Sequence, residues 1–244
     1  MTGGRSARIQ GLVAEQAARR GARVSVVDVC TAAVAALPIG GAGVTAASRT
    51  AAGRPLCSTG PVSELLEELQ LTLGEGPGVE AYALGSAVLV PDLRADGERR
   101  RWPAFTPEAL AAGAAAVFAF PLRVGAITPG VLDLYSEVPV ELDSGELADA
   151  MVFADTATLV LLGTRIDPAP GPGGDLDGYR AEVDQATGML TVQLGVGIEE
   201  AFLRLRAYAY AHGRRLSEVA ADVVARRLRF PPDPDEERSA ADDA

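Results

Sequence analysis

The sequence predicts an α+β molecule: helices flanking an antiparallel sheet over residues 1–166, then a small three-helix bundle over 178–230. Three observations carry that prediction. Within the first part, short apolar runs of strand length alternate with amphipathic helical stretches. At 167–175, "DPAPGPGGD" sets three prolines and three glycines between two helical patterns, so the segment continues neither helix nor strand and reads as a flexible linker, 167–177. Beyond it, apolar residues recur at three- and four-residue intervals in three successive blocks separated by glycines. The closing stretch, 231–244 ("PPDPDEERSAADDA"), is acidic, proline-broken and poor in large apolar groups, which predicts disorder.

Taken in order, helices are expected at about 6–20 and 24–37, the second ended by Pro38 and the glycines at 40 and 41. "GVTAAS" and "RPLCST" flank a turn containing Gly53, a hairpin pattern. A helix over 61–73 starts on Pro61, spaces Val62, Leu65, Leu66, Leu69 and Leu73 helically, and ends on Gly74. Its polar face is expected to carry Glu64, Glu67 and Glu68. "AVLVPDL" reads as a strand, followed by a polar loop. "AAVFAFPLRV" and "GVLDLYSE" read as a further hairpin, and alternation of Leu132 and Leu134 with Asp133 and Tyr135 predicts a half-buried last strand. Asp143 and Glu146 form a capping-box pair opening a long helix, with Leu147, Met151, Ala154, Thr158 and Leu161 on its inner face.

Composition narrows the function classes. The chain has 244 residues, 48% of them hydrophobic, and a formal charge of −11, which suits one or two packed domains and not a disordered chain. No apolar run approaches the roughly 18 residues needed to cross a bilayer, and the N-terminus lacks a signal-peptide core, so a cytoplasmic location with no membrane partner is expected. One histidine excludes a multi-histidine metal site, the absence of lysine excludes a Schiff base, and Cys30 and Cys57 show neither a zinc spacing nor a redox-pair spacing. No metal or cofactor is implied. There is no nucleophile with a matching base and no phosphate-cradling glycine loop, and Asp92, Asp133 and Glu137 read as surface or turn carboxylates, so the expectation is a protein that is not an enzyme.

Against the acidic whole, residues 201–230 hold seven arginines and two acids, Glu218 and Asp222. With Phe202, Leu205 and Ala209 turned inward, Arg204 and Arg206 emerge on the flanks of the second helix, and Arg214 and Arg215 lie at its end, so a positive corner is expected. Guanidinium groups suit phosphate oxygens and stack on bases, and Tyr208 and Tyr210 stand beside them as platforms for an unpaired base. The same residues also fit a plainer reading. Arginines on helices are usually solvated, Arg226, Arg227 and Arg229 complement a helix C-terminus, a tyrosine is more often a core or dimer residue, and His212 more often closes a helix.

Two resemblances bear on that choice. "LQLTLGEGPGVEA", "VLVPDL", "FAFPLR" and "GVLDLY", within roughly residues 10–165, resemble the GAF domains of actinobacterial regulators. The resemblance implies an antiparallel sheet with flanking helices that serves dimerisation or holds a small molecule. Cysteine is frequent in such relatives at the position of Gly78, so a thiol role there is not available. The lysine-containing set of cyclic-nucleotide-binding GAF domains cannot be assembled either. "DQATGMLTVQLGVGIEEAFLRLRAYAYAHGRRLSEVAADVV" closely resembles an ANTAR domain through all three helices. That resemblance implies binding of RNA stem-loops in a nascent transcript and antitermination, by a homodimer that presents two bundles. RNA contact is then expected first from Arg206 and Arg215, next from Arg204 and Arg214, with Thr187 donating a hydroxyl, Gly188 permitting close approach, and Tyr208 and His212 alongside. Thr187 stands where many relatives carry a cationic lysine, and Gly197 where a serine cap is common. The competing class is a ligand-responsive protein–protein or dimerisation module without RNA binding; a DNA-binding bundle ranks third.

Overall fold

A computed structural model describes residues 2–47, 54–163 and 174–231, and the chain divides into two compact units at Gly173 and Gly174. The Gly53 turn, most of the expected linker and the acidic tail from 232 onward lie outside the described residues. The first unit opens with α1 (Thr2–Arg20) and α2 (Val26–Ala36). The turn between them is fixed by Asp28, which accepts hydrogen bonds from Arg20 Nε (2.9 Å), Ser25 N (2.8 Å) and Ser25 Oγ (2.9 Å). Burial alone would raise the Asp28 carboxyl, but the Arg20 and Ser25 bonds outweigh it and hold it below the usual range.

Five strands follow: β1 (Gly41–Ala46), β2 (Arg54–Ser58), β3 (Val88–Val90), β4 (Ala116–Val124) and β5 (Ile127–Ser136). They form one sheet in the order β2-β1-β5-β4-β3, with every neighbouring pair antiparallel. The intervening helices are α3 (Pro61–Leu73), α4 (Pro77–Leu84), α5 (Asp96–Arg101) and α6 (Phe105–Ala111), and α7 (Ser144–Gly163) closes the unit. One sheet face meets α1, α2 and α7 in a core that includes Phe118, Phe120, Leu132, Leu134, Phe153 and Val29. The other meets α3, α4 and α6 around Val117, Tyr135, Trp102 and Phe105.

Coverage of both faces changes what the last strand means. From Pro129 to Ser136, β5 is buried at every residue. Asp133 is therefore 7% exposed and Tyr135 6% exposed, not turned to water. The alternation still works, but it distributes side chains between two dry layers. The same layer buries two of the three acids expected on the polar face of α3: Glu67 and Glu68 are 4% and 6% exposed, and only Glu64 faces solvent.

Other elements differ in detail. The polar loop before β4 contains α5 and α6, and α4 follows Gly76 with Pro77 at its first position. The N-terminus of α6 is held by Glu75 Oε1, which accepts from Ala104 N at 2.6 Å and Phe105 N at 2.7 Å. At α7 the capping box forms as expected: Asp143 Oδ1 accepts from Gly145 N and Glu146 N, and Glu146 Oε2 accepts from Asp143 N. Its inner face carries Ala150, Phe153, Ala154, Ala157 and Leu161, whereas Met151 is 56% exposed.

The second unit consists of α8 (Gly174–Leu194), α9 (Ile198–Ala211) and α10 (Leu216–Val224). Helix α8 begins inside the segment expected as linker. Its buried residues Val183, Ala186, Leu190 and Leu194 meet Ala201, Phe202, Leu205 and Ala209 of α9 and Leu216, Val219, Ala220 and Val223 of α10. The chain turns between helices at Gly195 and Gly213, whose φ angles of 68° and 58° are left-handed and favour glycine.

Candidate nucleic-acid interface

Helix α9 organises the candidate surface because three of its sides have different surroundings. Ala201, Phe202, Leu205 and Ala209 face the bundle core. At about 100° per residue, Leu203, Arg206 and Tyr210 then share one outer flank, and Glu200, Arg204 and Tyr208 fall toward the other. On the first flank Leu203 and Tyr210 are 59% and 62% exposed. Arg206 lies half-buried with its guanidinium carbon 5.8 Å from the Phe202 ring centroid, and burial pushes its pKa down from the ordinary arginine value. Arg206 and Tyr210 lie one helical turn apart along this flank.

The second flank is committed to internal contacts. Arg204 donates to Glu200 through Nε at 3.1 Å and Nη2 at 2.6 Å, an i,i+4 ion pair. Tyr208 stacks on His212 with ring centroids 3.9 Å apart and an 18° interplanar angle, and tilts against Phe230 at 5.1 Å. His212 Nδ1 lies 2.8 Å from the Tyr208 carbonyl oxygen. A carbonyl only accepts, so this nitrogen carries the proton. Tyr208 is consequently not an open platform for a base, and His212 closes the helix.

The expected positive corner is looser than the sequence suggests. Arg204 lies two helical turns, roughly 10 Å, before the end of α9 at Ala211. Arg214 Nη2 is 2.7 Å from Asp222 Oδ2, and Nε is 3.7 Å from Glu218 Oε2. Arg227 Nε reaches the other Asp222 oxygen at 2.7 Å. The hydrogen bonds from Arg214 and then Arg227 hold the Asp222 carboxyl below its usual range. Arg215 is exposed and occupies the N-cap position of α10 with φ −66° and ψ 142°.

Helix α8 corrects a further expectation. Thr187 is 3% exposed and its hydroxyl donates to the Val183 carbonyl at 2.7 Å, so it faces the bundle and is not the exposed hydroxyl donor the sequence reading expects. Burial at helix spacing alone explains this: Val183, Ala186, Thr187 and Leu190 form one inner stripe. Gly188 is exposed, and a Cβ built there meets nothing within 4 Å. Among the described residues, no neighbouring helix demands glycine at that position.

The first unit contributes a separate small cavity that buried carboxyls border. A small cavity under α3, with room for about one water, is lined by residues including Gly43, Ser63, Glu67, Gln70, Phe105 and Asp133. Gly43 and Ala119 are the register partners of Asp133 on the adjacent strands. Small neighbours leave space for acids: a Cβ at Gly43 would be 2.5 Å from Glu67 Oε1, and one at Gly78 would be 2.8 Å from both Asp133 oxygens. Thr45 Oγ1 donates to Glu67 Oε2, and Gln70 Oε1 accepts from Gly78 N at 2.5 Å. Burial pushes Asp133 up to about 7, against lowering by Glu67 and Gln70, and burial together with the Asp133 charge pushes Glu67 well above its ordinary value. Two close buried carboxyls hold a proton that exposed ones would release. Sequence reading misses this site; the 4- and 3-residue spacing of Ser63, Glu67 and Gln70 along α3 is the signal that marks it.

Residues 178–224 match the ANTAR domain family. The chain resembles the GAF domain of a phosphoenolpyruvate-protein phosphotransferase from Coxiella burnetii, at 14% identity and a TM-score of 0.52, covering 68% of this chain and 99% of that one. It also matches the corresponding GAF domain from Acinetobacter, at 13% identity and a TM-score of 0.49 over 68% and 96% of the two chains. A free methionine-R-sulfoxide reductase from Neisseria meningitidis, solved with its substrate, matches at 16% identity and a TM-score of 0.48 over 66% and 92%. A search of curated proteins gave no match. No described helix is long and apolar enough to cross a membrane. The chain therefore joins a first unit with the GAF fold to a helical bundle whose residues 178–224 match the ANTAR domain family.

Proposed function

We propose that this chain is an RNA-binding regulator of transcription, whose ANTAR domain holds stem-loops in a nascent transcript and so favours elongation past a terminator. The observation that carries the reading is the ANTAR match over 178–224 together with the outer flank of α9, where Arg206 and Tyr210 share one side one turn apart. Loop bases present their edges and faces, while paired RNA hides its sequence in a deep groove, so a flat cation beside an exposed ring suits a loop. Arg206 and Arg215 are the primary contacts in this reading. Arg204 and Arg214, which pair with Glu200, Asp222 and Glu218, are secondary contacts. The protein acts as a homodimer, with the GAF-fold unit supplying dimerisation or small-ligand control, and it has no catalytic role.

Binding to a two-hairpin RNA across a salt series tests this. Arg206→Ala and Arg215→Ala are each expected to weaken binding and to lower the slope of log affinity against log salt by about one unit. Unchanged affinity in both variants, with a flat wild-type salt dependence, would sink the proposal. A second reading has its own support. Leu203, Tyr210, Ile198 and Val192 are exposed apolar residues of the same unit, and Arg204, Arg214 and Arg227 are ion-paired within it, as expected of a bundle that docks on protein. That reading predicts oligomers or a protein complex that forms equally well at high salt and without RNA.

A further inference from the structure

We propose that Cys30 and Cys57 are a thiol pair that closes into an intramolecular disulfide, joining α2 to the edge strand β2. The sequence contains only these two cysteines, and their 27-residue separation gives no redox spacing. Folding brings their Sγ atoms to 2.7 Å. Both are buried, Cys30 completely and Cys57 to within 3%, in the apolar core beneath α1, α2 and α7. Besides each other, the Cys57 sulfur has a long contact of 3.7 Å to the Val26 carbonyl. A disulfide needs sulfurs about 2.05 Å apart, so an approach of roughly 0.7 Å, within the reach of small side-chain rotations, completes the bond. The product carries no S–H group to satisfy and suits an apolar surrounding better than two thiols do.

Access comes through the sheet edge. Among the described residues strand β2 pairs with β1 alone, and the register of that pairing shifts between Val44 and Thr45, directly beside the Val44–Cys57 partners. An irregular edge pairing opens at lower cost than a central one. The oxidant class is a small disulfide such as oxidised glutathione. On opening, the Cys57 thiolate attacks one sulfur of that disulfide, a mixed disulfide forms, and one small thiolate leaves. As the strand recloses, Cys30 attacks the Cys57 sulfur and displaces the second small thiolate. Two protein thiols lose two electrons, one small disulfide is reduced to two thiols, and the two protons released by the cysteines end on them.

The test uses the full chain equilibrated in glutathione buffers from fully reduced to strongly oxidised, then acid-quenched, unfolded and labelled with N-ethylmaleimide. Intact mass is expected to show two labels at the reduced end and none at the oxidised end, with a peptide pair linked through Cys30 and Cys57. The oxidised protein should melt higher by roughly 5–10 °C, followed by the fluorescence of Trp102, the chain's single tryptophan. Cys57→Ala should abolish that shift. Two labels at every poise, stable glutathione adducts, or disulfide-linked dimers in place of the internal bond would overturn the proposal. The label count on the wild-type protein decides the matter even if Cys57→Ala fails to fold, and it does not depend on RNA binding.

Discussion

Neighbouring tyrosines of α9 have opposite surroundings, and the difference is measurable. Tyr208 is stacked on His212 and packed against Phe230, whereas Tyr210 is 62% exposed. Tyr208→Ala should therefore lower the melting temperature of the helical unit by several degrees in far-ultraviolet circular dichroism, with little change in RNA affinity. Tyr210→Ala should weaken RNA binding by about 5- to 100-fold, the range of one lost base stack, while leaving stability within about 0.5 kcal/mol. Asp133 gives a residue-scale prediction of another kind. Its carboxyl is raised by burial to about 7, so the folded protein binds a proton there that the unfolded chain releases above about 4. Between those values folding takes up protons, and the stability of the GAF-fold unit from this group is full below about pH 4 and is lost as pH rises through about 7. Urea unfolding followed by Trp102 fluorescence should show wild type losing stability from about pH 5 to about pH 8. Asp133→Asn, which has nothing to ionise, should flatten that loss by on the order of 2 kcal/mol. A slope unaltered by the substitution would mean that the proton resides elsewhere.

Among the elements, α6 shows how a distant residue fixes a helix start. Glu75 satisfies the amides of Ala104 and Phe105, so Glu75→Ala should cost about 1–2 kcal/mol, read as an earlier urea midpoint of Trp102 fluorescence. This contact also explains why α6 reads as loop in the sequence: the cap lies 29 residues away along the chain, and local signals cannot reveal it. Elements with local signals are legible. Pro61 and Gly74 bound α3, Asp143 and Glu146 open α7, and the glycines at 195 and 213 divide the bundle, all as the sequence indicates. Orientation is less legible than existence. Strand alternation marks two faces without saying that both are covered, so Asp133, Glu67 and Glu68 read as wet when they are dry. At the candidate interface Arg204 can be placed on α9 and Arg214 just after it, but their ion pairs with Glu200, Asp222 and Glu218 depend on rotamers and on the packing of α10, which spacing does not encode. Thr187 misleads for a simpler reason: a hydroxyl can satisfy itself on the preceding turn and remain inside.

For the whole molecule, a formal charge of −11 repels nucleic acid at long range, so attraction must come from a few local contacts. The proposed homodimer resolves this by presenting two bundles at once. A transcript with two hairpins should bind about 100- to 10,000-fold more tightly than either hairpin alone, and the ratio should collapse when the spacer is made too short to reach both bundles. Equal affinity for one and two hairpins in gel-shift titrations would argue for a monomeric reader. The division of α9 between core-facing and outward residues carries a consequence for how the proposed RNA reader changes over time. Because Phe202, Leu205 and Ala209 hold the fold and Leu203, Ala207 and Tyr210 do not, substitutions at the latter positions can retune which loop sequence is preferred while the scaffold stays intact, leaving target choice free to drift between related proteins.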